Sequence, residues 1–327
     1  MKEKIRWGIL GPGKIAHSFA KGLKSLPGAE LAAVASRSAG RAAAFAKEFG
    51  IPKAYGSYQE LADDPEIDIV YVATPHPAHA EFTLMCLEAG KAVICEKPLA
   101  VNEEQARTMA ALAQKKDLFL TEAMWTRYLP CTRRIMELIG SGAIGDVRMV
   151  KADFGFRCPW EPENRLLDPN LGGGALLDVG VYTVSYASMV FGGLMPQKVA
   201  SAAAIGETGV DETFSAVLEY GDGRLAALSG AVRVDLTNDA WILGTTGRIH
   251  VPDFWHAHSF ELSRRDGETG SFEVPFDSNG YCHEAAYAMD CLRNGRKDSE
   301  LMPLAETIRV VRTMDAIRRE WSVQARP

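Results

Sequence analysis

The sequence predicts an α/β fold in two parts: a doubly wound parallel sheet over residues 1–122, then an α+β domain built on a large, mostly antiparallel open sheet over residues 123–327. Three observations carry this. Short apolar runs alternate with helical-period segments through the first 122 residues, the signature of βαβ units. A glycine-rich turn, Gly11-Pro12-Gly13, joins the first apolar run to the first helix. After Pro130 the pattern changes to period-2 alternation broken by glycine turns.

Size and composition bound the answer. A chain of 327 residues exceeds what one core comfortably holds. Hydrophobic residues at 47% and charged residues at 24% are those of an ordinary globular protein. A net charge of −6 argues against a nucleic-acid or anionic-membrane partner. There is no apolar run of about 18 residues, so no membrane span is expected. The start, Met1-Lys2-Glu3-Lys4-Ile5, enters a strand without a signal-peptide apolar region. Six cysteines with no CxxC pair fit reduced thiols in a cytoplasm better than a disulfide scaffold or a zinc site. A cytoplasmic protein without a metal is therefore expected.

Ile5 to Leu10 reads as the first strand, and Gly11 to Ala16 completes a G-x-G-x-x-A turn before a helix through Phe19, Ala20 and Leu23. Gly11 permits the tight turn, Gly13 lets the backbone approach a pyrophosphate, and Ala16 keeps helix and strand close. Lys14 and Ile15 open the helix, whose unpaired N–H groups favour phosphate. The second strand, Glu30 to Ala35, ends in Ser36-Arg37-Ser38 with no acid to hold a ribose 2′-hydroxyl. Arg37, with Ser36 and Arg41, suits a 2′-phosphate instead, which favours NADP over NAD; the plainer alternative is an arginine capping a strand end. Helix Arg41–Phe49, a strand near Ala54 and the strand Ile69–Val72 follow.

That last strand runs into Ala73-Thr74-Pro75-His76-Pro77-Ala78-His79, a turn on the edge where such sheets bind ligands. His76 and His79 lack a third ligand at metal spacing, so Thr74, Pro75, His76 and His79 are read as cofactor contacts or a polar helix start. The next strand, Ala92 to Glu96, delivers Glu96, Lys97 and Pro98 at its tip. Proline keeps Lys97 out of the α region, so its amine leaves the strand end on stiff backbone. Helix Glu103–Lys115 and strand Leu118–Glu122 complete six strands, a Rossmann domain.

The second half begins with the alternating stretch Gly145–Phe156, and roughly eight strands in all are expected. Helices at Gly174–Phe191, His283–Arg293 and Pro303–Glu320 can cover one face of such a sheet, leaving the other for a second subunit. Within Leu171-Gly172-Gly173-Gly174 and the helix after it, Asp178 and Tyr182 stand four apart, on one helical face. An acid and a phenol beside a glycine run suit acid–base chemistry; a core tyrosine bonding Asp178 is the bland alternative.

With these motifs assembled, the chain resembles the glucose-fructose oxidoreductase/inositol dehydrogenase superfamily along its full length. The fingerprint, Glu96-Lys97-Pro98 and the Asp178…Tyr182 helix before an open sheet carry the resemblance. Tyrosine at 182, where many relatives have histidine, and Glu122-Ala123-Met124-Trp125-Thr126-Arg127-Tyr128 look like the branch of dimeric dihydrodiol dehydrogenases, NADP-dependent D-xylose dehydrogenases and anhydrofructose reductases. The resemblance implies that Lys97 and Tyr182 are the catalytic pair and that the protein is a homodimer joined through its open sheet. Asp178 is then an orienting group, and Glu96, Lys97 and Trp125 border the cofactor.

The expected activity is hydride transfer between NADP(H) and a CH–OH or C=O carbon of a sugar, sugar derivative or trans-dihydrodiol. Trp125, Phe154, Trp255 and Phe276 are candidate substrate walls, since aromatic faces stack on sugars and on diol rings. Arg127, Arg148 and Arg157 are candidates for substrate hydroxyls, or simply for surface ion pairs. Two other readings remain open: a non-enzymatic NADP-sensing regulator on the same fold, and an NAD-dependent inositol or amino-sugar dehydrogenase.

Overall fold

The computed structural model describes residues 4–324; Met1, Lys2 and Glu3, where the first strand was expected to be entered, lie outside the described residues. The chain runs β1 (Ile5–Leu10), α1 (Lys14–Lys24), β2 (Ala29–Ala35), α2 (Ala39–Phe49), β3 (Lys53–Tyr55), α3 (Tyr58–Asp63), β4 (Ile69–Val72), α4 (His79–Glu88), β5 (Ala92–Glu96), α5 (Glu103–Lys116) and β6 (Leu120–Ala123). It continues as α6 (Pro130–Gly140), β7 (Val147–Gly155), α7 (Val181–Val190), β8 (Lys198–Ile205), β9 (Asp211–Tyr220), β10 (Arg224–Ala231), β11 (Ala240–Gly244) and β12 (Gly247–Val251). β13 (Ser259–Arg264), β14 (Thr269–Glu273), α8 (Tyr281–Arg293) and α9 (Leu304–Gln324) follow. Two compact units result. One comprises the chain to Ala100, Glu104–Tyr128 and Asp277–Ala305; the other comprises Val101–Glu103, Leu129–Phe276 and the chain from Glu306.

The first unit holds a six-stranded sheet in the order β3-β2-β1-β4-β5-β6, parallel at every pairing. Every residue of β4 and β5 is buried, which is why these strands read as unbroken apolar runs. Trp7, Ile9, Phe19, Tyr71 and Ile94 share one core, with the Phe19 ring stacked 3.7 Å from that of Tyr71. Order reverses between β1 and β4, so their carboxyl ends flank the crevice where dinucleotides bind in such sheets.

One helix departs from expectation. The helix expected at His283–Arg293 was assigned to the second sheet; instead α8 packs in the first unit, where Ala285, Ala288, Met289 and Cys291 join the core around β1. Gly22 on α1 lets it approach: a Cβ there would stand 2.7 Å from Asn279 Oδ1 and 3.0 Å from the Cys282 nitrogen. The Asn279 amide donates to the Ser18 carbonyl at 2.8 Å, pinning the helix entry.

The second unit holds an eight-stranded sheet in the order β14-β13-β12-β11-β7-β10-β9-β8. Its pairings are antiparallel except β7 with β10. Burial alternates along β9 from Thr213 onward: Phe214, Ala216 and Leu218 face inward, Ser215 and Val217 outward. α7 lies across the inner face of β7 and β10, and Ser201 of β8 donates to the Ile317 carbonyl of α9. The registers place Ala200, Val217, Ala227, Lys151, Trp241 and His250 in one row across the opposite face. Among the described residues no helix is long and apolar enough to cross a membrane.

Candidate active site

In the first unit the glycine turn is built as the fingerprint requires. Gly11 has φ +87° and lies so close to Ala73 that a Cβ would meet its carbonyl oxygen at 2.8 Å. Gly13 caps α1 with no side-chain acceptor, its missing Cβ would point into open space, and the first turn carries no acidic residue. Lys14 there is exposed and Ile15 half-buried. The start of α1 thus offers unclaimed N–H groups and positive charge to a pyrophosphate. At the end of β2, Ser36 is buried while Arg37 and Arg41 are exposed. The Arg41 amide donates to Ser38 Oγ at 3.4 Å, so α2 opens directly behind Arg37. These residues fit a nicotinamide dinucleotide.

The tip of β5 is held from several sides. Glu96 accepts a hydrogen bond from the Tyr71 hydroxyl on β4, and its other oxygen accepts the Lys97 amide at 3.1 Å. The Lys97–Pro98 peptide bond is cis. His79 lies between two carbonyls, Nδ1 at 2.8 Å from Pro98 O and Nε2 at 2.8 Å from Thr74 O, so it ties the turn after β4 to the turn after β5. Burial lowers its pKa against the pull of those carbonyls. Glu122 accepts the Leu99 amide at 3.0 Å. His76 is buried with its ring 5.7 Å from that of His79, Thr74 is buried and Pro75 exposed. No three His, Cys, Asp or Glu side chains among the described residues converge on a metal site.

Trp125 is buried with its indole stacked 4.4 Å from the Tyr281 ring of α8. Arg127 is buried too, and Nη1 donates to the Leu301 carbonyl at 3.3 Å. Beneath the β5 tip lies a group the sequence did not announce. Glu284 of α8 is fully buried, and neither of its oxygens has a hydrogen-bond partner among the described residues. Burial and the nearby Glu96 carboxyl push the Glu284 carboxyl well above the usual range.

In the second unit the helix expected over Gly174–Phe191 is present, but its hydrogen-bond register changes along it. A π turn spans Leu176–Gly180, and α7 starts at Val181. Single π turns favour functional sites. Asp178 sits in the π turn, buried, and accepts Arg165 Nη1 at 2.8 Å. Sequence reasoning missed Arg165, because a lone arginine in a polar loop carries no spacing signal. Tyr182 lies one residue into α7, its ring buried.

Phe154 meets the Tyr182 ring edge-on at 5.3 Å and stacks on Trp255 at 4.9 Å, so the phenol stands beside a continuous aromatic wall. Arg148 is exposed and donates to the Asp222 carbonyl and to Asp146, while Arg157 is exposed with its amide donating to Asp235. The structure therefore gathers Asp178, Tyr182, Phe154 and Trp255 in one unit. It gathers the glycine turn, Thr74, His79, Glu96, Lys97 and Trp125 in the other.

Known proteins match both units. The oxidoreductase family with an NAD-binding Rossmann fold matches residues 5–124, and the GFO/IDH/MocA C-terminal domain matches residues 132–250. A trans-1,2-dihydrobenzene-1,2-diol dehydrogenase of Mus musculus is 41% identical over 98% of this chain and 97% of its own length. The chain belongs to the GFO/IDH/MocA oxidoreductase family. The Homo sapiens protein of the same name is 38% identical over 98% of this chain and 97% of its own length.

Among solved structures, an aldose-aldose oxidoreductase from Caulobacter crescentus complexed with glycerol superposes with TM-score 0.90 at 25% identity, covering 98% of each chain. A 3-ketoreductase from Actinomadura kijaniata in complex with NADP and TDP-benzene superposes with TM-score 0.88 at 27% identity, covering 97% of this chain and 98% of its own. As a member of this oxidoreductase family the protein is a nicotinamide-dependent dehydrogenase, with the parallel sheet as its dinucleotide-binding part.

Proposed function

We propose that the protein transfers a hydride between NADP(H) and the CH–OH or C=O carbon of a sugar, a sugar derivative or a trans-dihydrodiol. The single observation that carries this is the buried Tyr182 phenol standing against the Phe154–Trp255 wall, on a helix whose neighbouring Asp178 carboxylate is pinned by Arg165. The names of the relatives point the same way: diol dehydrogenases by sequence, and sugar-linked oxidoreductases by structure.

The bound nicotinamide supplies hydride acceptance or donation. The chain must do the rest. Tyr182 gives a proton to the carbonyl oxygen during reduction and takes it back during oxidation. A free phenol has a pKa near 10, so about one in a thousand is ionised at pH 7 and a cation favours that form. Lys97 is that electrostatic partner and holds the reacting oxygen, while Asp178 orients the group. The aromatic wall seats the flat face of the ring and excludes water. Arg37, with Ser36 and Arg41, selects the 2′-phosphate of NADP over the bare ribose of NAD.

The outer face of the second sheet, with Val217 half exposed, supports a homodimer formed through that face. The experiment that tests the reading mixes the protein with NADP and a panel of pentoses, hexoses and aromatic trans-diols, following absorbance at the reduced-nicotinamide band. Turnover on one class is expected. Tight NADP binding with silence across the panel would favour a nucleotide-sensing regulator.

A further inference from the structure

The π turn that leads into the Tyr182 helix has no cap of its own: Ala175 stands at its cap position and offers no side-chain acceptor. Helix starts leave N–H groups that must find partners when buried. Here the partner comes from the sheet. Asp211, the first residue of β9, is buried, and its Oδ2 accepts the Leu176 N–H at 2.7 Å. Burial pushes the Asp211 carboxyl up to about 6, against the Leu176 amide, the charge of Arg318 from α9 and the Ala175 amide, which favour the anion.

The glycine run is shaped to admit this carboxylate. Gly174 has φ +112°, and a Cβ on it would fall on Asp211 Oδ1. The start of β9 is in turn held by the Val232 amide, which donates to the Glu212 carbonyl. A rigid strand thus grips the first turn of the segment carrying Asp178 and Tyr182.

We propose that Asp211 is a positioning residue for the reaction: it clamps the start of the π turn and so sets where the Tyr182 phenol stands. The inference rests on the reading of Tyr182 as the proton-transfer group. Oriented groups lose rate steeply with small displacements, so loosening the clamp costs turnover rather than binding. Asparagine keeps an oxygen acceptor in the same place and retains the clamp; alanine removes it.

The test compares Asp211→Ala, Asp211→Asn and Tyr182→Phe in the full-length protein, using the best substrate of the panel. Measured quantities are kcat, KM, NADP affinity and amide hydrogen exchange over residues 176–182. Expected for Asp211→Ala is a fall in kcat of at least about tenfold with KM and NADP affinity held within about threefold. Faster exchange at Leu176–Tyr182 accompanies it, and Asp211→Asn returns both readouts towards the wild type. A merely structural role would not produce that split or that rescue.

If Asp211→Ala does not fold, Gly174→Ala, which displaces the carboxylate while leaving it in the chain, is expected to show the same fall in kcat. Full kcat in Asp211→Ala beside an inactive Tyr182→Phe would overturn the clamp alone. Full kcat in Tyr182→Phe would overturn the reading on which it rests.

Discussion

Arg37 stands exposed at the tip of β2 where an acid would otherwise hold a ribose hydroxyl. Arg37→Ala is expected to weaken NADP binding by about tenfold and leave NAD binding unchanged, read by titration with each cofactor; hydrogen bonds to charged groups are worth roughly 1.5–3 kcal/mol. Equal losses for both would refute the 2′-phosphate contact.

Glu284 faces Glu96, Tyr71, Tyr128 and Tyr281, with no cation among these groups, and its carboxyl is raised in the folded protein. The folded state therefore keeps a proton that the unfolded chain sheds above its ordinary carboxyl pKa. Stability contributed by this group is complete at low pH and falls as pH rises from that value towards the raised one. The slope is at most about 1.4 kcal/mol per pH unit. Glu284→Gln removes the slope. Its Tm is expected to match the wild type near pH 4 and exceed it at pH 8, measured by thermal unfolding, and an equal shift at both pH values would contradict this. Lys97 and Tyr182 became candidates in the sequence because a strand tip and a helix spacing flagged them. Glu284 did not, because burial is a property of the fold rather than of its neighbours in the chain.

At the scale of elements, the π turn Leu176–Gly180 depends on close packing against β9. A Cβ on Gly180 would stand 2.7 Å from Cε1 and Cζ of Phe214. Gly180→Ala is expected to destabilise the protein by about 1–3 kcal/mol, as overpacked cores do, and to lower kcat because Tyr182 lies two residues on. Urea unfolding measures the first and steady-state kinetics the second. An unchanged denaturation midpoint would show that Phe214 yields without cost.

The parallel strands were readable because two-sided burial writes an apolar run. The π turn was not, since its spacing of apolar residues is that of an ordinary helix. α8 illustrates a second limit. Its face of Ala285, Ala288 and Met289 announces a buried helix but not which of two sheets it covers. Tertiary contacts settle that: the close approach at Gly22, the Trp125–Tyr281 stack and the Asn279–Ser18 hydrogen bond hold it to the first unit.

For the whole molecule, the first sheet was legible as six strands alternating with helices, and the structure arranges them in the order β3-β2-β1-β4-β5-β6. The second sheet was legible in its number of strands but not in its order, because the parallel pairing of β7 with β10 joins segments far apart in sequence. Its outer row of Val217, Ala227 and Trp241 is the proposed dimer face. Sedimentation at micromolar concentration is expected to give twice the chain mass, and Val217→Asp to give the chain mass alone with the fold intact. A wild-type monomer would remove the dimer proposal.

The central claim, that Tyr182 moves the proton with Lys97 as its charged partner, is met most directly by kcat and NADPH affinity measured side by side for Tyr182→Phe and Lys97→Met. Each substitution is expected to lower kcat by about a hundredfold or more while NADPH binds nearly as before. Either variant turning over at close to the wild-type rate would contradict it.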